Sequence, residues 1–188
     1  MDRFDFLRSF HPIGETDYEL LTTKLRTRKF QKGNHIIVPG EIQRDLYFVK
    51  SGVQMCHVET DKKTHILAFT YYPNLVALPE SFSSQLPSKY YFSCITDTEL
   101  DCLRYDDLQG IYKQSQEVER LFRKINEKLL GGFLNQHMEL RTLTMSERFK
   151  SFCARSPHLL RQVPHKYIAS YLDIDATNFS KLYNTIKF

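Results

Sequence analysis

Residues 164–188 read PHKYIASYLDIDATNFSKLYNTIKF, and the spacing of their apolar side chains sets the architecture at this end of the chain. Pro164 suits the first turn of a helix, where an absent N–H costs nothing, and HKYIASYL continues as a short helix. Asp173, Ile174 and Asp175 make a turn, with Asp175 placed as the N-cap of a second helix, ATNFSKLYNTIKF. Ile168, Ala169, Leu172, Ile174, Phe179, Leu182 and Ile186 fall on the inward faces, and small Ala169 lets the two helices cross closely. Two short helices joined by a three-residue turn form a helix-turn-helix, whose second member is the one that enters DNA. Its outward residues Thr177, Asn178, Ser180, Lys181, Asn184 and Lys187, together with Lys166 on the first helix, are suited to base edges and phosphates. The same pattern would also build a small bundle for protein contacts. The second helix lacks the Arg that most often reads guanine. Asp173 stands where a turn Gly is usual, although Asp tolerates the left-handed backbone.

Upstream, Met145 to Ala154 form a helix with Phe149, Phe152 and Cys153 on one face, stopping before Ser156-Pro157. From Leu143 onward there are seven Lys and Arg against three Asp and Glu, a net +4 that equals the charge of the whole chain. The rest is neutral. A basic module beside a neutral one is expected to face a polyanion, because bound phosphates release counterions.

Helical pattern also runs from Asp106 to Leu143, with Val118, Phe122, Ile125, Leu129 and Gly132 spaced as a coiled-coil seam that continues through Gln136, Leu140 and Leu143. These residues are predicted to join two copies of the chain. Gly131-Gly132 would suit close backbones or a bend. The competing reading is a helix packed on its own domain.

Residues 15–29 are predicted as an opening amphipathic helix, with Thr16 as N-cap and Tyr18, Leu21 and Leu25 on one face. Beyond Phe30 the period changes to short strands: HIIV, DLYFVKS, VQMCHVE, THILAFT and LVAL, separated by turn residues. PESFSSQLPSKY reads as an irregular interruption able to hold a ligand, after which YYFSCITDTELDCLRY resumes extended structure. The expected class is α+β: a β-roll over 1–112, a dimerisation helix over 113–143 and a helix-turn-helix over 144–188. Apolar residues make up 41% and charged residues 26%, the balance of a folded soluble protein, and no apolar run approaches the ~18 residues of a membrane span. The reading is cytoplasmic, with Cys56, Cys94, Cys102 and Cys153 as reduced packed thiols and without metal spacing. Gly-x-Ser-x-Gly, phosphate-binding loops and dinucleotide fingerprints are absent, so no enzyme is expected.

FQKGNHIIVPGE, LYFVKSG, PESF, PSKYYFSCITDTEL and ERFKSFCARSPHLLRQVPHKYIASYLDIDATNFSKL together resemble the Crp/Fnr superfamily of bacterial regulators, over essentially the whole chain. The resemblance implies a cyclic-nucleotide-binding-like jelly roll, with Gly33, Gly40 and Gly52 in turns, and a homodimeric transcription regulator acting on double-stranded DNA, with RNA polymerase as a further partner. It implies a winged helix-turn-helix, of which the wing hairpin is expected to be missing here. It also places the ligand site at Glu80, Ser81, Ser88, Lys89 and Tyr90. In cyclic-AMP receptors a Gly-Glu pair takes the ribose and an Arg-Ser pair the phosphate. Here Pro79 precedes Glu80, and SKYYF offers only Lys89 for the Arg, which is no equivalent for a buried phosphate. Cyclic AMP is therefore not expected. An unidentified small-molecule effector or an empty scaffold is. The first 55 residues hold no Cys for an iron-sulfur cluster, and His35, His57 and His65 read as ordinary strand histidines rather than haem ligands. The alternative function is a ligand-binding or scaffold protein that acts through protein contacts without touching DNA.

Overall fold

The computed structural model describes residues 2–61 and 63–185. Ile186 and Lys187, expected in the core and on the reading face respectively, lie outside the described residues. Helices α1 (Arg3–Arg8) and α2 (Glu15–Thr22) open the chain. Strands β1 (Arg26–Phe30), β2 (His35–Ile37), β3 (Asp45–Ser51), β4 (Val53–Thr60), β5 (Lys63–Tyr71) and β6 (Leu75–Val76) come next. After helix α3 (Pro79–Ser84) come β7 (Tyr91–Cys94) and β8 (Thr98–Arg104). The remainder is helical: α4 (Tyr105–Tyr112), α5 (Gln116–Thr142), α6 (Met145–Arg155), α7 (Leu159–Gln162), α8 (His165–Tyr171) and α9 (Ala176–Thr185).

The strands form two antiparallel four-stranded sheets, ordered β1-β8-β3-β6 and β2-β7-β4-β5. Ile37, Tyr47, Val49, Val76, Leu78, Phe92, Leu100 and Cys102 fill the space between them. Gly52 shows why the turns demand glycine. Its φ is +87°, and a Cβ there would come within 2.4 Å of the Asp97 carbonyl oxygen. Burial pushes the Cys56 and Cys102 thiols up to about 12, so they stay protonated and serve as packing.

Several local expectations are corrected. The opening helix stops at Thr22, where Thr22 and Thr23 turn their hydroxyls back onto the carbonyls of Tyr18 and Leu20, and RTRKF instead pairs with β8 as an edge strand. Its N-cap is Gly14, whose N–H donates to the Asp17 carboxylate at 3.2 Å, and not Thr16. PESFSS is the short helix α3, started by Pro79 in its first turn. The helical run after Asp106 is two helices. It breaks before Ser115, whose Oγ accepts from Val118 N at 3.1 Å and donates to Asp17 at 2.6 Å.

That break turns α5 onto the body of its own domain. Val118, Phe122 and Ile125, predicted as the start of an intermolecular seam, are buried in the chain's own core against α1, α2, α4 and sheet residues Leu46, Phe48 and Leu103. They cannot meet a second copy, because Val118 is already 0% exposed in one chain. Leu129 and Gly132 remain on the surface. The second half of α5 leaves the domain and carries Leu130, Phe133, Leu134 and Met138 into solvent, between 44% and 61% exposed. No helix among the described residues is long and apolar enough to cross a membrane.

The C-terminal helices dock on the outer face of the second sheet. Val53, Met55, Ile66 and Ile95 share one core with Phe149, Phe152, Ile168, Leu172 and Phe179. The edge strand β5 is closed by a side chain: Ser170 Oγ accepts from Ile66 N at 3.1 Å and donates to the Thr64 carbonyl at 2.8 Å. Exposed edge groups invite foreign strands, so this contact both covers an edge and fastens α8 to the roll. Tyr71 adds a second fastening through Ser156, hydroxyl to hydroxyl at 2.7 Å.

Candidate nucleic-acid interface and ligand site

The C-terminal helical module is built on α6. Thr144 and Glu147 form a reciprocal capping box, which satisfies two otherwise orphaned N–H groups at the start of α6. On the face of α6 turned to α8 and α9, Phe149 packs edge-on to Phe179 at 5.3 Å between ring centres. Between α8 and α9 the chain turns at Asp173, with φ +51°, and Ile174 N closes the turn on the Ala169 carbonyl at 2.9 Å. Asp175 then caps α9 through Asn178 N at 2.9 Å, and that hydrogen bond holds its carboxyl below the usual range. Ile168, Ala169, Leu172, Ile174 and Phe179 are buried, and Leu182 is half-buried.

Outside this core, Lys166, Thr177, Ser180, Lys181 and Asn184 are exposed. Asn178 is different. Its side-chain amide donates to Asp175 at 2.5 Å and is half-buried, so it serves the cap and not the outward stripe. Tyr183 packs, its ring centre 4.2 Å from that of His165.

Two of the basic residues that tilt this module positive are used internally. Arg155 pairs with Glu139 at 2.5 Å. Arg148 is 9% exposed and has no carboxylate partner among the described residues; Nη1 donates to the Leu140 carbonyl at 2.9 Å and Nη2 to the Asp173 carbonyl at 3.1 Å. Sequence reasoning missed this role. The signal available was an Arg one position before Phe149, on the face of α6 that faces the core.

The expected ligand residues are brought together around α3 and the loop before β7, where they satisfy one another. Lys89 Nζ lies 2.8 Å from Glu80 Oε1, both groups exposed. Ser81 is buried and its Oγ accepts from Gln43 N at 2.9 Å. Ser88 is buried too; its Oγ donates to the Tyr90 carbonyl and accepts from Tyr90 N, at 2.9 and 3.0 Å. Tyr90 is half-buried against the roll interior. The organiser is Gln43, wholly buried and absent from the sequence reading, which accepts from Leu78 N at 2.7 Å and donates to the Asp45 carbonyl at 2.7 Å. A cyclic nucleotide fits these residues poorly. Glu80 and Lys89 pair with each other on the surface, and the roll offers no Arg beside Ser88 for a phosphate.

Comparison with known proteins agrees with this layout. The family model described as "Cyclic nucleotide-binding domain" matches residues 27–115. No curated protein matches the chain by sequence. Among solved structures, FixK2 from Bradyrhizobium japonicum is 19% identical, with a TM-score of 0.72 over 85% of this chain and 83% of that one. A putative transcriptional regulator of the Crp/Fnr family from Eubacterium rectale is 17% identical, with a TM-score of 0.71 over 94% and 86%. A CooA mutant from Carboxydothermus hydrogenoformans is 16% identical, with a TM-score of 0.70 over 98% and 83%. Residues 27–115 therefore resemble the cyclic nucleotide-binding domain, and the chain as a whole shares the fold of solved Crp/Fnr regulators.

Proposed function

We propose that this chain is a non-catalytic, homodimeric DNA-binding regulator whose α9 reads the major groove. The observation that carries the reading is the exposed stripe Thr177, Ser180, Lys181 and Asn184 on a helix whose other face is locked into a core shared with the roll. A rigid helix with one polar side outward is the arrangement a groove reader requires. The apolar stripe Leu130, Phe133, Leu134 and Met138 supports the pairing of two copies, which would supply two readers for two half-sites. The Glu80–Lys89 pair supports a roll that does not use cyclic AMP.

The test is selection of a binding site from random duplexes, followed by anisotropy titration over a range of salt. A reader loses affinity steeply as salt rises and prefers the selected site. Equal, weak binding to every duplex would favour the scaffold reading instead.

A further inference from the structure

The seam between roll and reading head contains an open cleft of about 490 Å³. One wall comes from the β1–β2 turn at Lys32 and the β7–β8 turn at Ile95 to Asp97; the other is the stretch Leu160 to His165 that joins α7 to α8. Its size is that of a small-molecule site, and domain seams are where such sites concentrate.

The chemistry of the lining is uneven. Ile95 and Val163 are buried and give an apolar floor. Above it stand two exposed cations, Lys32 and Arg161, and neither side chain has an ion pair or hydrogen bond with any described residue. The acid on the lining is Asp97, and its Oδ1 is already held by the main-chain N–H of Lys32 at 2.8 Å. A second cavity of about 330 Å³ shares Gln162 with the first and is lined by His158, whose Nε2 is buried without a partner. His158 Nε2 is thus a polar atom left unpaired beside the seam, where buried polar atoms ordinarily find partners. The contrast with the roll is direct: there Glu80 and Lys89 pair at 2.8 Å, and here neither Lys32 nor Arg161 forms an ion pair with a described residue.

We propose that this cleft binds a small organic oxyanion, a carboxylate or phosphate monoester on an apolar body. Arg161 and Lys32 hold the headgroup, and the body lies over Ile95 and Val163. Arg161 offers the planar fork that matches either headgroup, and Lys32 adds a point charge from the opposite wall. Because one cation belongs to the roll and the other to the reading head, a bound anion ties the two together.

The test uses isotope-labelled full-length protein and amide NMR titration with three probes: phenyl phosphate, benzoate and inorganic phosphate. Saturable shifts are expected at residues 95–97 and 160–165. Phenyl phosphate should bind more tightly than inorganic phosphate, because only the former covers the apolar floor. Whichever of phenyl phosphate and benzoate binds more tightly identifies the headgroup. Arg161→Gln and Lys32→Gln should each weaken binding by about tenfold, the loss of one charge-assisted contact. Both residues are exposed, so the variants keep the fold, and the same spectra report it. The double variant Glu80→Gln, Lys89→Gln should bind as the parent does. The proposal is overturned by the absence of saturation at these amides, by affinity unchanged in Arg161→Gln, or by shifts that depend on Glu80 and Lys89. It is equally overturned if Arg161→Gln weakens duplex binding alone, which would make Arg161 a DNA phosphate contact. The titration contains no DNA, so its result is independent of whether α9 reads a groove.

Discussion

Arg148 donates through Nη2 to the main-chain carbonyl of Asp173, 3.1 Å away, at the point where the chain turns left-handed between α8 and α9. Its other terminal nitrogen holds the Leu140 carbonyl in the last turn of α5. One side chain thus joins the long helix to the turn that aims α9. Arg148→Met removes the charge at similar volume and leaves two acceptors without donors, so it should cost about 2–3 kcal/mol in denaturant unfolding. Arg148→Lys, which cannot reach both carbonyls in the same way, should fall between. Parent-like stability in Arg148→Met would show that the bridge contributes nothing.

Lys181 lies on the exposed stripe of α9 and forms no ion pair with a described residue. Lys181→Ala should leave folding unchanged, weaken binding to all duplexes similarly and lower the slope of log affinity against log salt by about one. An unchanged slope would remove Lys181 from the interface.

The two halves of α5 should respond differently to substitution. Leu134→Glu, on the exposed stripe, should shift sedimentation from dimer to monomer with little loss of fold. Phe122→Ala, in the chain's own core, should cost about 3–5 kcal/mol in stability and leave the folded protein's association unaltered. The opposite pattern would return the seam to its sequence-predicted position.

His57 provides the pH dependence. It is 1% exposed, with Nε2 on Ser93 Oγ at 2.9 Å and its ring stacked on Tyr91, while Nδ1 has no hydrogen-bond partner and Glu59 is 3.9 Å away. Burial lowers its proton affinity below the ordinary value of 6.5, partly opposed by Glu59 and reinforced by His35. A depressed histidine means that the unfolded chain binds the proton first. Stability should therefore be complete above about pH 6.5 and decline as pH falls below it. Urea midpoints between pH 8 and pH 5 measure this, and His57→Gln should decline less than the parent over the same range.

The strands between Gly33 and Ser51 and the helices from Met145 onward are legible in the sequence because each obeys a local rule: period-two alternation between turn residues, or apolar spacing between caps. Residues 15–29 mislead because LLTTKLRTRK keeps helical spacing through a stretch whose real partner, β8, lies some 70 residues away. Asn178 misleads for a related reason: exposure by spacing does not reveal that its amide is committed to Asp175.

What the sequence determined by itself was the order of the parts, since hydrophobic period, turn residues and capping residues act over a few positions. Only the tertiary structure decided which apolar faces were already covered. Val118 and Leu134 are both apolar residues on α5, yet one is sealed by α1, α2 and α4 and the other stands in water. The same holds for charge: Glu80 and Lys89 cancel, Arg148 turns inward, and Arg161 and Lys32 are left open across a seam. Burial and pairing depend on groups distant in the chain, and only the folded chain brings those groups together.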